Sequence, residues 1–366
     1  MTAAARHCSF LIPGELSTRT GGYTYDRRII DGLRALGWQV DVQSLGPGFP
    51  WPSADVLAQA RRVVEALPHG ALVLVDGLAF GVLDELAHAH AGRLRWVALV
   101  HHPLALESGL GDAQRQALHA SERHALQAAR AIIVTSPFTA RNLVADFGVP
   151  ASHIRVVEPG TDAAPVARGS APGEALQLLC VATITPRKGH AVLVDALAGL
   201  KDRPWRLHCA GSLSMDPACS AALQQAIAEH RLQDRVLLHD EQDEAGLRRL
   251  YAMADAFVLP SFHEGYGMAL AEAIAHGLPV VSTRAGAIAD TVPGTAGMLV
   301  PPGDVPALRA ALQRLLDDDA WRAQLRGGAL AARAALPTWA SSSERFAHAL
   351  AAVPHDDDEP RGTPSR

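Results

Sequence analysis

No stretch of this 366-residue chain approaches the roughly eighteen consecutive apolar residues that a membrane-spanning helix needs, so no segment reads as one. Long Lys/Arg runs are missing too. With a formal net charge of −5, this weighs against a non-specific nucleic-acid binder, which concentrates positive charge. Cysteines are few. None of Cys8, Cys180, Cys209 and Cys219 forms a CxxC pair, and Cys8 and Cys180 lie in apolar runs, so buried free thiols are expected. The opening MTAAARHCSFLIPGE lacks the apolar core of a signal peptide, and the expected location is cytoplasmic. No short-period repeat is visible. No Asp-x-Asp metal site stands between strands, and no serine–histidine–aspartate arrangement can be read.

What is present is a globular composition, 48% hydrophobic and 19% charged, in a chain long enough for two domains. Short apolar runs alternate with helical periodicity. In the first half the runs are CSFLIP, WQVDVQSL, ALVLVDG, RWVALVHH, AIIVTS and HIRVVEPG, with a helix expected over Tyr25 to Leu36. Periodicity fades in TDAAPVARGSAPGEA, from Thr161 to Ala175, which reads as a linker. The pattern then restarts with LQLLCVAT, WRLHCAG, RVLLHD, AFVLPS, PVVST and GMLVPP. Such alternation predicts an α/β protein with two mostly parallel sheets, helices on both faces, and ligands beyond the C-terminal strand ends. The expected domains are 1–165 and 166–338. A helix over 339–352 is expected to return to the first domain, and 353–366 forms a polar tail. Asp317, Asp318 and Asp319 fall between two helical segments and read as a solvated turn.

The richest stretch is PSFHEGYGMALAEAIAHGLPVV, from Pro260. It follows an apolar strand, so Glu264 belongs in the loop at that strand's end, and a helix is expected from about Gly267. Backbone N–H groups in Gly265-Tyr266-Gly267-Met268, at a helix start, can cradle phosphate or sugar oxygens. Glu272 lies roughly 12 Å further along the helix axis. That is too far for a general acid/base pair, which needs about 5 to 9.5 Å, but suits two parts of one elongated ligand. A nucleotide sugar fits, with sugar near Glu264 and ribose near Glu272. On the residues alone, Glu272 could equally be a solvated surface residue and the glycines ordinary turns. Arg187-Lys188, before Gly189, could clamp a diphosphate or be a solvated basic turn.

These residues resemble a known pattern. Glu264-Gly265-Tyr266-Gly267-Met268 followed by Glu272 is similar to the signature of the retaining glycosyltransferases of family GT-4. LRRLYAMADAFVLPS before it, and GLPVVSTRAGAIADTV and AGMLVPPGD after it, extend the resemblance from about Leu176 to Asp304. The resemblance implies a GT-B fold, two Rossmann-like domains facing each other across a cleft. It maps the family's basic loop onto Lys188-Gly189. The family's Gly-Arg pair is replaced by Ala182-Thr183, so one guanidinium is missing and Arg187 is the candidate to compensate. Gly286, in RAGAIA, maps to the turn near the donor. Gly21-Gly22, expected in a loop before the first helix, resembles the family's N-terminal glycine-rich loop. A histidine at a strand end maps to His101, with His102 as the alternative. Glu158-Pro159-Gly160-Thr161-Asp162 resembles the segment entering the second domain.

The resemblance implies transfer of a sugar from a nucleoside-diphosphate sugar to an acceptor hydroxyl, with anomeric configuration retained. His101, Glu264, Lys188 and Arg187 are the catalytic candidates. Gly21, Gly22, Thr183, Gly265, Tyr266, Gly267, Met268, Glu272 and Gly286 are the donor-binding ones. No cofactor or metal is expected, since basic residues can replace a cation. Alternatives are a sugar-nucleotide epimerase on the same fold, or a nucleotide-sugar-binding protein with degenerate chemistry. A phosphorylase would need a cofactor-lysine signature that is not seen. The acceptor could be a sugar, a lipid or a small molecule. Peripheral membrane contact is an open alternative supported only by Arg27, Arg28 and Arg34. High alanine and glycine content points to a bacterial gene.

Overall fold

The computed structural model describes residues Arg6 to Pro354. The polar tail expected from residue 353 lies, from residue 355 onward, outside the described residues. The chain divides into two compact units, 1–160 with 339–366, and 161–338. The division falls five residues before the expected boundary at 165.

The first unit runs β1 (His7–Ile12), α1 (Gly21–Ala35), β2 (Gln39–Ser44), α2 (Ala54–Glu65), β3 (Leu72–Asp76) and the single turn α3 (Gly77–Phe80). It continues with α4 (Asp84–His90), β4 (Arg95–Val100), α5 (Asp112–Gln127), β5 (Ala131–Val134), α6 (Pro137–Phe147) and β6 (Ile154–Val156). The strands pair in parallel in the order β2-β1-β3-β4-β5-β6. β3 is buried along its whole length, which is why it reads as an unbroken apolar run rather than an alternating one.

Helix α1 starts at Gly21, four residues earlier than expected at Tyr25. Gly-Gly is a poor helix former, but the Thr20 hydroxyl caps the helix by accepting from the Tyr23 N–H. Gly21 and Gly22 therefore open the helix instead of preceding it. The buried face of α1 carries Tyr25, Ile29, Ile30 and Leu33, and also Asp26.

The second unit runs β7 (Leu176–Val181), α7 (His190–Ala198), β8 (Trp205–Ala210), α8 (Pro217–Glu229), β9 (Val236–His239) and α9 (Glu244–Met253). It continues with β10 (Ala256–Leu259), α10 (Met268–Ala275), β11 (Val280–Thr283), the single turn α11 (Ile288–Thr291), β12 (Gly297–Val300), α12 (Val305–Asp317) and α13 (Asp319–Ala332). Its parallel sheet has the order β12-β11-β10-β7-β8-β9. Read from β9, that is the 3-2-1-4-5-6 order of dinucleotide-binding sheets, whose strand order reverses between β7 and β10. Connections on either side of this point run to opposite faces, so a crevice opens between the loops after β7 and β10.

Helix α14 (Trp339–Ala351) belongs to the first unit and packs on α1. Its Phe346 and Trp339 rings lie 6.4 and 6.1 Å from the Tyr25 ring. The acidic turn is an ordinary one: Asp317 pairs with Arg203, and Asp318 caps α13 by accepting from the Trp321 N–H. All four cysteines are free, and Cys8, Cys180 and Cys209 are buried. Among the described residues no helix is long and apolar enough to cross a membrane.

Candidate active site

The strand reversal in the second unit brings two loops together that are far apart in sequence. After β7 the chain passes Ala182 and Thr183 into a short 3₁₀ turn, Pro186–Lys188. After β10 it passes Pro260 to Gly267 into α10. Gly189 ends the first loop with φ +71°, and a Cβ there would lie 2.2 Å from the Pro260 carbonyl oxygen. Only glycine permits both that conformation and that approach. The Phe262 N–H donates to the Arg187 carbonyl at 2.7 Å, which ties the two loops together.

The functional side chains meet across this junction. Lys188 Nζ donates to Glu264 Oε1 at 2.6 Å, and Ser261 Oγ donates to the same oxygen at 2.6 Å. Arg187 Nη1 lies 3.7 Å from Glu264 Oε2 and donates to the His263 carbonyl at 2.8 Å. Glu264 is 6% exposed. Burial alone would raise its pKa, but Lys188, Arg187 and the two hydrogen bonds outweigh it and hold the carboxyl below its ordinary range. The surroundings of Glu264 thus favour its carboxylate form. A third strand-end loop supports it from behind. Gly286, after β11, has φ +59°, and a Cβ there would lie 2.3 Å from the Glu264 carbonyl oxygen. The Ala287 N–H donates to that same oxygen at 2.8 Å.

Glu272 stands in the second turn of α10, since the helix begins at Met268. This helix is nearly enclosed: Leu270, Ala271, Ala273, Ile274 and Ala275 are buried. Burying each large aliphatic side chain there contributes about 1.5–3 kcal/mol. Glu272 itself is half-buried on this helix. Glu272 Oε2 accepts from the buried Tyr251 hydroxyl at 2.9 Å, and the Tyr251 ring stacks on His276 at 4.6 Å. Tyr266 is buried, and its carbonyl accepts from Thr291 Oγ1 at 2.5 Å, which anchors the turn before α10. Gly267 caps the helix with φ +91°.

In the first unit the strand order reverses between β1 and β3, and a second cluster forms beside that point. His101 follows β4 directly. Its Nε2 lies 3.2 Å from Asp26 Oδ1 and 3.5 Å from Asp76 Oδ2. Gly22 approaches the same ring, since a Cβ there would lie 3.4 Å from His101 Cδ2. Burial would lower the His101 pKa, but the two carboxylates more than offset it and raise it to about 10. Burial raises the Asp26 pKa to about 7. His102 points elsewhere, to Glu107 Oε2 at 3.3 Å. Atoms of Asp26, Asp76 and His101 lie within 4.8 Å of one another, a spacing that would suit a cation.

The structure thus joins Arg187, Lys188, Glu264 and Gly286 in one constellation, with Thr183, Gly265, Tyr266, Gly267, Met268 and Glu272 on the adjoining loops and helix. Gly22 and His101 meet separately in the first unit, and Gly21 stands beside Gly22 as the first residue of α1. Sequence reading missed Ser261, Tyr251, Asp26 and Asp76. Asp26 had a usable signal, a lone acid on the apolar face of a predicted helix. Asp76 had one too, as the acid closing the apolar run ALVLVD.

A family model for group 1 glycosyl transferases matches residues 175–318, and one for glycosyltransferase family 4 matches residues 20–164. A D-inositol 3-phosphate glycosyltransferase from Kineococcus radiotolerans is 30% identical over 327 residues, 77% of this chain and 74% of the relative. One of the same description from Xylanimonas cellulosilytica is 32% identical over 227 residues, 58% of this chain and 54% of the relative. The chain thus spans about half the length of that second relative. Among solved structures, a sucrose-phosphate synthase from Thermosynechococcus elongatus superposes with TM-score 0.78 at 24% identity, covering 93% of this chain and 98% of that one. The Anabaena protein HepE, in complex with UDP and glucose, gives TM-score 0.72 at 19% identity, covering 94% and 100%. Two parallel-sheet Rossmann-like units, the loop constellation at the sheet reversal and these matches lead to one conclusion: the chain belongs to glycosyltransferase family 4, with the GT-B fold.

Proposed function

We propose that the chain transfers a sugar from a nucleoside-diphosphate sugar to an acceptor hydroxyl with retention of anomeric configuration. The observation that carries this reading is the contact of Lys188 and Arg187 with Glu264 at the sheet reversal of the second unit. Lys188 has three N–H donors, so it can keep Glu264 and still bind a diphosphate oxygen. Arg187 adds a second positive charge on the same loop, in the absence of the family's arginine at the position of Thr183. The N–H groups of Gly265, Gly267 and Met268 suit phosphate or sugar oxygens. Glu264 faces the sugar as a carboxylate and supports positive charge that develops at the anomeric carbon. Glu272, presented by Tyr251, suits the two hydroxyls of a ribose.

In this mechanism the bond from the anomeric carbon to the diphosphate oxygen breaks through an oxocarbenium-like state. The acceptor oxygen attacks the same face, and its proton passes to the departing diphosphate. Lys188 and Arg187 stabilise the charge on the leaving group, so the reaction needs no divalent cation and no resident cofactor. HepE in complex with UDP and glucose is a precedent on this fold for the donor class. The acceptor is an alcohol of a sugar, a lipid or a small polar molecule.

The test is calorimetric titration of the purified protein with UDP-, GDP- and ADP-sugars, with Glu272→Ala as the site control. One donor should bind tightly and lose most of its affinity in the variant. Product analysis should then show an unchanged anomeric configuration, formed equally well with a chelator present. A folded sample that binds no donor and no nucleoside diphosphate would overturn the assignment.

A further inference from the structure

The cluster around His101 carries an inference that rests on the proposed transfer and deepens it. One imidazole nitrogen faces two carboxylates from different elements, Asp26 on α1 and Asp76 at the end of β3. Asp26 is fully buried, and its Oδ2 has no hydrogen-bond partner among the described residues. A buried carboxylate so poorly satisfied is unfavourable unless a positive charge compensates it. Asp76 already spends its Oδ1 on the Leu78 N–H at 2.7 Å, which caps α3 and fixes the side chain, while Oδ2 faces His101. His101 retains 20% of its side-chain exposure, so a ligand can still reach the ring.

We propose that Asp26 and Asp76 are positioning residues that hold His101 by Nε2 as an imidazolium. His101 then gives a substrate a hydrogen bond and positive charge through Nδ1–H, and it does not take the acceptor's proton. An imidazolium has a donor on each nitrogen and no acceptor, so a base role is closed while the ring holds both protons. The acceptor's proton must therefore go elsewhere, which agrees with its transfer to the leaving diphosphate.

The other ionisable groups around the ring leave this arrangement intact. From α1, the Tyr25 ring meets His101 edge-on at 5.4 Å, and burial holds its hydroxyl well above its ordinary pKa. Tyr23, also on α1, is raised to about 12 by burial, then by Asp76, Asp26 and Glu15, so it is neutral. The neighbouring His102 faces Glu107, and the α14 guanidinium of Arg345 acts on Tyr25. The two aspartates are thus the carboxyl groups that face His101 and set its charge.

The experiment is a nitrogen-resolved NMR titration of the His101 imidazole in the wild-type protein, Asp26→Asn and Asp76→Asn, read alongside the pH profile of transfer. Asp76→Asn keeps an oxygen for the Leu78 N–H and serves if Asp26→Asn fails to fold. In the wild type, His101 should be doubly protonated at neutral pH and titrate with a midpoint near pH 10. In either variant its midpoint should fall toward the ordinary value of about 6.5. The alkaline limb of transfer should move down with it. A variant whose His101 titrates like the wild type, or a wild-type His101 that is neutral at pH 7, would overturn the proposal. The NMR readout requires no turnover, so it stands apart from any failure of the transfer assignment.

Discussion

Lys188 Nζ and Glu264 Oε1 lie 2.6 Å apart although 76 positions separate the two residues. The sheet reversal between β7 and β10 makes this contact, and the loop glycine Gly189 allows the approach. A nearly buried ion pair of this kind is sensitive to loss of one partner, because the remaining charge is left without compensation. Lys188→Ala should destabilise the protein toward the lower end of about 3–5 kcal/mol and reduce turnover by about 10²–10³-fold. The double variant Lys188→Met/Glu264→Gln should recover much of the stability and none of the turnover. Denaturant unfolding and initial rates with the identified donor check both. A double variant that loses as much stability as Lys188→Met and Glu264→Gln added together would show that the pair is not coupled.

Gly286 tests whether the geometry of the Glu264 loop matters apart from its charges. Gly286→Ala introduces a side chain at φ +59° with its Cβ 2.3 Å from the Glu264 carbonyl oxygen. Backbone strain at such a position costs about 1 kcal/mol or more, and the clash adds to it. Turnover should fall by at least about tenfold as Glu264 is displaced. Gly294→Ala is the control, since a Cβ there meets nothing within 4 Å. Unchanged turnover in Gly286→Ala would mean that the loop position is not critical.

In the proposed reaction Tyr251 acts on the donor through Glu272. Tyr251→Phe removes the hydroxyl that donates to Glu272 Oε2 at 2.9 Å and leaves the ring stacked on His276. A hydrogen bond to a charged group contributes about 1.5–3 kcal/mol. Donor affinity should therefore weaken by about ten- to hundredfold, with a smaller effect in Glu272→Ala/Tyr251→Phe than the two single losses added. Calorimetry on the four proteins gives the coupling directly. Additive losses would remove Tyr251 from the binding site.

Much of this architecture was legible in the sequence because parallel strands, buried on both faces, print as apolar runs. The loop after β10 was legible for a second reason: Gly265 and Gly267 around Tyr266 mark a tight turn at a helix start, where Gly267 takes φ +91°. Pairing of Lys188 with Glu264 was not legible, because it depends on the strand order β7-β10, which no local pattern encodes. The start of α1 was misplaced because the Thr20 cap outweighs the poor propensity of Gly21-Gly22. Asp26 was overlooked for the opposite reason. Its helical spacing counts it with the core, and only the tertiary fold shows which charged partner justifies an acid there.

Glu122 gives a prediction in the stability curve. It is 1% exposed on α5, and its Oε2 accepts from the Leu104 N–H at 2.9 Å, anchoring the segment that follows His101. Its Oε1 has no partner among the described residues. Burial pushes its pKa up to about 8 from an ordinary 4.5, and the Leu104 N–H offsets only part of that rise. Between those two values the folded protein keeps a proton that the unfolded chain gives up. Stability therefore falls as pH rises through this window and levels off above about pH 8. The fall attributable to this one group is on the order of a few kcal/mol. Glu122→Gln keeps an oxygen for Leu104 and cannot ionise. Urea midpoints from about pH 5 to about pH 9 should decline less steeply in the variant than in the wild type, whose His101 contributes its own decline to both curves. The two curves should therefore separate progressively toward alkaline pH, with the variant the more stable. Parallel curves would mean that Glu122 ionises in the folded state near its ordinary pKa, and that burial at this position is relieved by solvent reaching Oε1.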